Sequence, residues 1–271
     1  MKTALILSSF VAASRVGATA SAFCLRRLGV ETLVLPTTVL GRHPGWGTPG
    51  GQALDTAHLQ AMWDAIKKQN IHIDAVMTGY LASDTHINLA LDIMADVKAR
   101  NPKAIIVVDP VMGDHGQLYI PESRANALKN RLVPKADVIT PNAWELSYIT
   151  NKRAGTLSEI RQATANLAMQ SLITSVPLAN EIGALLTLKN SSYLVRHQKF
   201  KTVPHGGGDA LAATFLAHLL NGKAAPDSLA QSVASIFAVL KAAVTSDAGE
   251  LPLIRQQQAL MDAKPLTLEL L

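Results

Sequence analysis

Cysteine is nearly absent from this chain of 271 residues. Cys24 stands alone, so no internal disulfide framework exists. It lies in an Ala/Phe/Leu helical pattern and reads as a buried structural thiol. Aromatic residues reach only 4%, which argues against a base-stacking platform for nucleic acid. Charged residues are 17%, no block of like charge occurs, and the net charge is +5. That mild excess favours anionic small molecules and gives no indication of a nucleic-acid partner. No apolar run reads as long enough to span a bilayer, so no membrane association is expected. Internal repeats, low-complexity tracts and long linkers are also missing, and the chain reads as one domain over residues 1–271. What is present is 48% apolar residues, enough at this length for a full core.

The first 22 residues, MKTALILSSFVAASRVGATASA, combine a lysine, a short apolar run and small residues, much as a secretory signal does. Ser8 and Ser9 interrupt that run, and Arg15 follows it. Residues 3–8 also suit a first buried strand. The strand reading is favoured, and with it a cytoplasmic setting.

Apolar runs of strand length then alternate with helical patterns. Strands are expected over 4–7, 32–35, 75–78, 105–108, 138–140, 172–175, 184–188 and 193–196. Helices are expected over 19–28, 57–69, 84–99, 122–131, 144–150, 157–170, 209–220, 227–245 and 252–263. The alternation implies βαβ units and a mainly parallel sheet covered on both faces. The last two strands, separated by Lys189-Asn190-Ser191-Ser192, read as a hairpin and predict an antiparallel edge. GRHPGWGTPGG at 41–51 is the one strongly irregular segment, a loop or flap.

Ligands of open α/β sheets sit beyond the carboxyl ends of the strands. Here those ends are polar: Ser8-Ser9, Thr78-Gly79-Tyr80, Asp109 to Asp114, Thr140-Pro141-Asn142 with Glu145 one turn on, and Thr174-Ser175. Each alone could be turn chemistry or a favourable first-turn charge. The series is harder to assign that way. Late in the chain Gly206, Gly207 and Gly208 run into Asp209 and an apolar helix. Such a turn exposes amide N–H groups at a helix N-terminus and suits phosphate. An acid at that point would repel phosphate; it serves either as a base beside it or as the helix N-cap.

The pieces, taken together, resemble the ribokinase-like superfamily and within it the pyridoxal kinases. They are Ser9 on the opening strand, RRLG at 26–29, TGY at 78–80, DPVMGD at 109–114, TPNAWEL at 140–146, TS at 174–175 and GGGD at 206–209. They follow the family order across nearly the whole chain. The resemblance implies a ribokinase-like three-layer α/β/α sandwich. It also implies transfer of phosphate from ATP to the 5′-hydroxymethyl group of pyridoxal, pyridoxine or pyridoxamine. On that pattern Asp209 is the catalytic base, and the amides of Gly206, Gly207 and Gly208 form the anion hole. Asp109 and Glu145 hold magnesium. Asp114, Asn142, Thr174 and Ser175 line the ATP phosphates. Ser9, His43 and Tyr80 touch the vitamin ring beneath the 41–51 flap. Potassium near the nucleotide and a homodimer come from the resemblance alone.

Departures gather on the vitamin side. The family's Ser-His-Val is Ser9-Phe10-Val11 here, its Asn-His-Thr is Arg42-His43-Pro44, and its valine before the glycine turn is His205. A ring contact by His205 and a solvent-facing His205 both stay open. Two alternatives also stand: a hydroxymethylpyrimidine kinase, and a catalytically weak ligand-binding protein on the same scaffold. The cysteine typical of the glycine turn in the former is absent. Asp109, Glu145 and Asp209 argue against the latter. A dinucleotide-binding Rossmann enzyme is excluded by the late position of the glycine turn.

Overall fold

The computed structural model describes all 271 residues. The chain runs β1 (Lys2–Val11), α1 (Gly17–Arg27), β2 (Val30–Leu40), a 3₁₀ turn (Pro44–Trp46), β3 (Gly51–Ala53), α2 (Thr56–Lys68), β4 (Ala75–Thr78), α3 (Asp84–Arg100) and β5 (Ile105–Val108). A short ribbon, β6 (Gly113–Asp114) and β7 (Gln117–Leu118), leads to α4 (Glu122–Ala127). There follow β8 (Val138–Ile139), α5 (Ala143–Thr150), α6 (Leu157–Thr164), β9 (Gln170–Pro177), β10 (Glu181–Leu188) and β11 (Ser191–Gln198). The chain closes with α7 (Gly207–Leu220), α8 (Ala225–Thr245), α9 (Ala259–Asp262) and β12 (Glu269–Leu270).

One ten-stranded sheet organises these elements, in the order β12-β11-β10-β9-β8-β5-β4-β1-β2-β3. The six strands from β9 to β2 in that order run parallel. Alternate residues of β1 explain why both faces are covered. Ala4 and Ile6 join a core with α1, α7 and α8, while Leu5 and Leu7 join another with α2 and α3. Burial on both sides is what a central parallel strand requires. A smaller apolar cluster, with Ile173 and Leu185, packs α5 and α6 over β9 and β10. The sheet is therefore the middle of three layers, as expected.

Helix α7 lies at the heart of the first core. Ala210, Ala212, Ala213, Phe215, Leu216 and Ala217 are all fully buried. A helix apolar on every side is a buried helix, and its alanines allow close approach to α1.

Several expectations need correction. The sheet has antiparallel strands at both edges, because β3 pairs with β2. Strand β1 does not stop at Leu7: its ladder with β2 continues to Val11 through a register shift at Ser8/Ser9. Likewise β9 passes through Thr174 and Ser175 to Pro177, with Ser175 at φ 55. The hairpin turn is only Lys189-Asn190, since Ser191 already pairs with Leu188. Helix α6 ends at Thr164, and Gln170 pairs with Val138 of β8 instead. The helix expected over 122–131 is α-helical only to Ala127, then widens to a π turn. Of the helix expected over 252–263, only the four residues of α9 are regular. Strands β3, β6, β7 and β12, of two or three residues each, are too short to leave a periodic signal. Finally, α8 is by length and composition able to cross a membrane. In the fold it is a core helix that buries Ser228, Gln231, Ser232 and Ser235 along with its apolar face.

His218 on α7 is buried, and its Nε2 has no hydrogen-bond partner. Burial, helped by the Lys223 charge, lowers its pKa from 6.5 to about 4. The unfolded chain therefore binds the extra proton first. This contribution is complete above pH 6.5 and is lost as pH falls toward 4. Integrated to pH 5 it amounts to about 2 kcal/mol. Urea unfolding of His218→Gln at pH 7.5 and pH 5 should show a fall in stability smaller than the parent's by about that amount. An identical fall in both proteins would show that His218 does not titrate as assigned.

Candidate active site

The polar strand ends form a staircase across the sheet. The first residues past three strands donate their amides to the neighbouring strand, Gly79 to Leu7 O, Asp109 to Thr78 O and Thr140 to Val108 O, and Thr174 within β9 donates to Pro141 O, all at 2.9–3.1 Å. Asn142 and Thr174 add an isolated parallel bridge. The ladder thus outlasts the regular strands by a residue, which fixes Asp109, Asn142 and Thr174 on rigid backbone.

Asp209 meets this row from the side. The helix begins at Gly207, with Gly206 as its N-cap at φ 95. Asp209 is therefore in the first turn and does not cap the helix. Only glycine fits at 206, because a Cβ there would lie 2.0 Å from the carbonyl oxygen of Arg15. Around Gly208 a Cβ would meet nothing within 4 Å, so the turn opens onto free space. The first amides of α7 have no acceptor within the helix. The Asp209 carboxylate lies by the start of α1, near the amide of Gly17. Burial raises its pKa, and the Gly17 hydrogen bond opposes the rise. Gly17 and Gly79 are also obligatory: a Cβ on either would come within 2.5 Å of a Ser9 or Ser8 oxygen.

Glu145 has a different setting from the one expected. It is buried and completes a capping box with Asn142, whose side chain accepts from Glu145 N (2.8 Å) while Asn142 N donates to Glu145 Oε2 (2.9 Å). Its Oε1 accepts from Met112 N at 3.0 Å and, more weakly, Gly113 N at 3.4 Å. Asn142 Nδ2 donates to Gly113 O at 3.0 Å. This pair ties the exit of β5 to the exit of β8. Burial raises the Glu145 pKa to about 7 against the pull of those amides. Asp109 is also raised well above the carboxylate range, first by burial, then by the charges of Glu145 and Asp209. Three mutually repelling acids in one cleft fit a cation with hard-oxygen preference. No three acidic, histidine or cysteine side chains converge closely enough to chelate an ion unaided.

The remaining expected residues lie around this centre. Asp114 stands apart on the β6–β7 turn, where it accepts from His115 N at 2.7 Å. Thr174 and Ser175 sit on β9, Ser175 in the left-handed region. Ser9 abuts Gly17. The Tyr80 side chain is half-buried against the α2–α3 core, and its carbonyl accepts from Thr37 Oγ1 at 2.6 Å. The flap is the loop of the β2–β3 hairpin, closed by Gly41 N and Arg42 N donating to Pro49 O at 3.1 Å. It reaches over the glycine turn, where His43 stacks on His205 with centroids 4.5 Å apart. Burial, then the His205 ring, lowers the His43 pKa. Its Nδ1 accepts from Gly45 N at 3.1 Å, so the neutral ring carries its proton on Nε2.

The hydroxyls of Ser8, Thr78 and Thr140, three of the polar strand ends named from the sequence, are buried without a partner. Sequence reasoning missed Gly17 and Glu250. The polar character of Ser8 and Thr78 was legible, but their burial was not. A cavity of about 160 Å³ lined by Trp63, His72 and Arg100 lies elsewhere, between α2 and α3, and contains none of these residues.

Fold and site together define a kinase of the three-layer α/β class that acts on small molecules. The sequence profile of the phosphomethylpyrimidine kinase family matches residues 26–253. The chain belongs to that family. It is 31% identical over 267 residues to a Corynebacterium diphtheriae pyridoxal kinase, PdxY, with 94% of each chain covered. Among solved structures, a candidate phosphomethylpyrimidine kinase of Bacteroides thetaiotaomicron superposes with a TM-score of 0.93 at 26% identity, covering 100% of this chain and 98% of its own. A second crystal form of that protein contains pyridoxal. Entamoeba histolytica pyridoxal kinase has the same fold, with a TM-score of 0.93 at 23% identity and full coverage of both chains.

Replacing Glu145 by Gln removes an acceptor that two or three backbone amides share. Urea unfolding should show a loss of about 1–2 kcal/mol, because a buried amide donor is left unpaired. Parental stability in Glu145→Gln would reduce these contacts to incidental geometry.

Proposed function

We propose that this protein transfers the γ-phosphoryl group of ATP to the 5′-hydroxymethyl group of a vitamin B6 vitamer: pyridoxal, pyridoxine or pyridoxamine. The observation that carries the proposal is Asp209, a half-buried carboxylate near the Gly17 amide beside the open glycine turn. Similarity to the pyridoxal kinase over 94% of both chains supports the acceptor.

In this reading the free amides at the start of α7 receive the transferred phosphoryl group and its developing charge. Asp209 takes the proton of the hydroxymethyl group late in the transfer. Asn142, Thr174, Ser175 and Asp114 flank the nucleotide phosphates. Asp109 and Glu145 would hold magnesium, largely through water given the amides already on Glu145. The ion supplies charge neutralisation of the phosphates. The vitamer ring lies by Ser9, Tyr80, His43 and His205, and the flap excludes water that would otherwise compete as acceptor. A potassium ion near the nucleotide and a homodimer complete the reading by family resemblance, and a cytoplasmic setting by the N-terminal segment's being read as a strand. A second reading, phosphorylation of hydroxymethylpyrimidine, is favoured by the family profile that matches. Incubating all four acceptors with Mg-ATP and scoring ADP release separates the two. Turnover of the pyrimidine alone would overturn the B6 assignment.

Asp209→Asn keeps the shape and leaves the Gly206 cap untouched. It should lower kcat by ~10²–10⁴-fold with ATP affinity retained or improved, since a negative charge near the phosphates is removed. Thermal stability should hold, because a buried charge is lost and no cap is broken. The raised pKa of Asp209 also sets a sign: kcat/KM should fall on the acid side above the ordinary aspartate range, as the base form is lost there. Near-parental kcat in Asp209→Asn would remove Asp209 from the base role.

A further inference from the structure

Glu250 follows α8 and belongs to none of the motifs above, yet its carboxylate joins two loops. Oε1 accepts from the indole Nε1 of Trp46, in the flap, at 3.0 Å. Oε2 accepts from the backbone N of Arg15, in the β1–α1 loop, at 3.0 Å. The carbonyl of that same Arg15 rests against Gly206. The neighbours of Glu250 fix it in place. Leu251 and Leu253 are buried in the α7–α8 core, and Leu251 Cδ1 packs beside Gly206. The Trp46 ring lies over Gly249, where a Cβ would sit 2.8 Å from the indole. Trp46 itself is 52% exposed, so little burial holds it down. Its bond to a carboxylate on an anchored segment is the strongest polar attachment of the flap tip. The other attachments are Ala13 N to Gly41 O at 2.9 Å at the flap's base, His43 N to Ser14 Oγ at 3.2 Å and the His43–His205 stack.

We propose that Glu250 is a positioning residue for the kinase reaction. It latches the flap through Trp46 onto Arg15, the residue whose carbonyl backs the glycine turn, so that closure over the vitamer is set by one carboxylate. The inference rests on the B6 kinase reading and deepens it. Free flap motion weakens retention of the acceptor, while the nucleotide site, on the staircase of strand ends, is left intact.

The test uses two variants of the whole enzyme that separate the two arms of the carboxylate. Trp46→Phe removes only the bond to the flap and keeps the ring over Gly249. Glu250→Ala removes both bonds. For each, KM for pyridoxal should rise about 3- to 10-fold, with KM for ATP and kcat at saturation within about twofold of the parent by the same reasoning. Trypsin should also cleave faster after Arg42, an exposed flap residue. Parental KM for pyridoxal in both variants overturns the proposal, whether or not cleavage accelerates. So does a change confined to Glu250→Ala, which would assign the effect to Arg15 instead of the flap. A parent that phosphorylates no B6 vitamer overturns the kinase reading instead, and unchanged tryptic cleavage would then overturn the latch as well.

Discussion

The arrangement depends on one constraint: the Asp209 carboxylate is kept half-buried beside the open glycine turn, with no basic side chain paired to it. Asp209 lies near the amide of Gly17 and in the first turn of α7, where the positive ends of both helices favour its charge. That contact requires the two helix starts to converge. Convergence in turn requires glycine at 17, 79 and 206, where any side chain would collide with Ser9, Ser8 or the Arg15 carbonyl. The small residues of α1 and α7 serve the same end, since Ala18, Ala22, Ala210 and Ala213 let the helices pack side by side.

The acids across the cleft show the complementary strategy. Asp109 and Glu145 are buried, and burial raises the pKa of both, with the charges of Glu145 and Asp209 adding to the rise at Asp109. Part of the rise at Glu145 is offset by the backbone, because Glu145 collects amides from the β5 and β8 exits. The same bonds make Glu145 a structural brace. A substitution there loosens the joint between the two strand exits.

The vitamin side is built more loosely. The flap hairpin carries exposed Pro44 and Trp46 and half-buried His43 on a loop with few apolar contacts. It is held by single polar bonds and one imidazole stack. Departures from the family pattern concentrate here and in His205, while the phosphate side keeps its motifs. A surface that closes over different acceptors tolerates change; a surface that stabilises a developing phosphoryl charge does not.

The alternation of apolar runs with helical spacing was enough to define a parallel sheet between two helical layers. Burial on both faces leaves no other pattern for strands such as 4–7 and 105–108. The chemistry of the strand ends was legible too, since serine, aspartate, asparagine and glycine immediately after apolar runs have few structural reasons to recur. Short strands, the break of the 252–263 segment and the extension of β1 through Ser8 and Ser9 were not legible. Backbone pairing with a distant neighbour decides each of them. Tertiary structure alone decided the rest: that Asp209 follows the cap of its helix, that Glu145 is saturated with amides, and that Glu250 bonds to Trp46 across 204 residues. A pattern along the chain records which residues are apolar and how they repeat. Which polar atoms meet is set by the packing of segments far apart in sequence, and no local spacing encodes it.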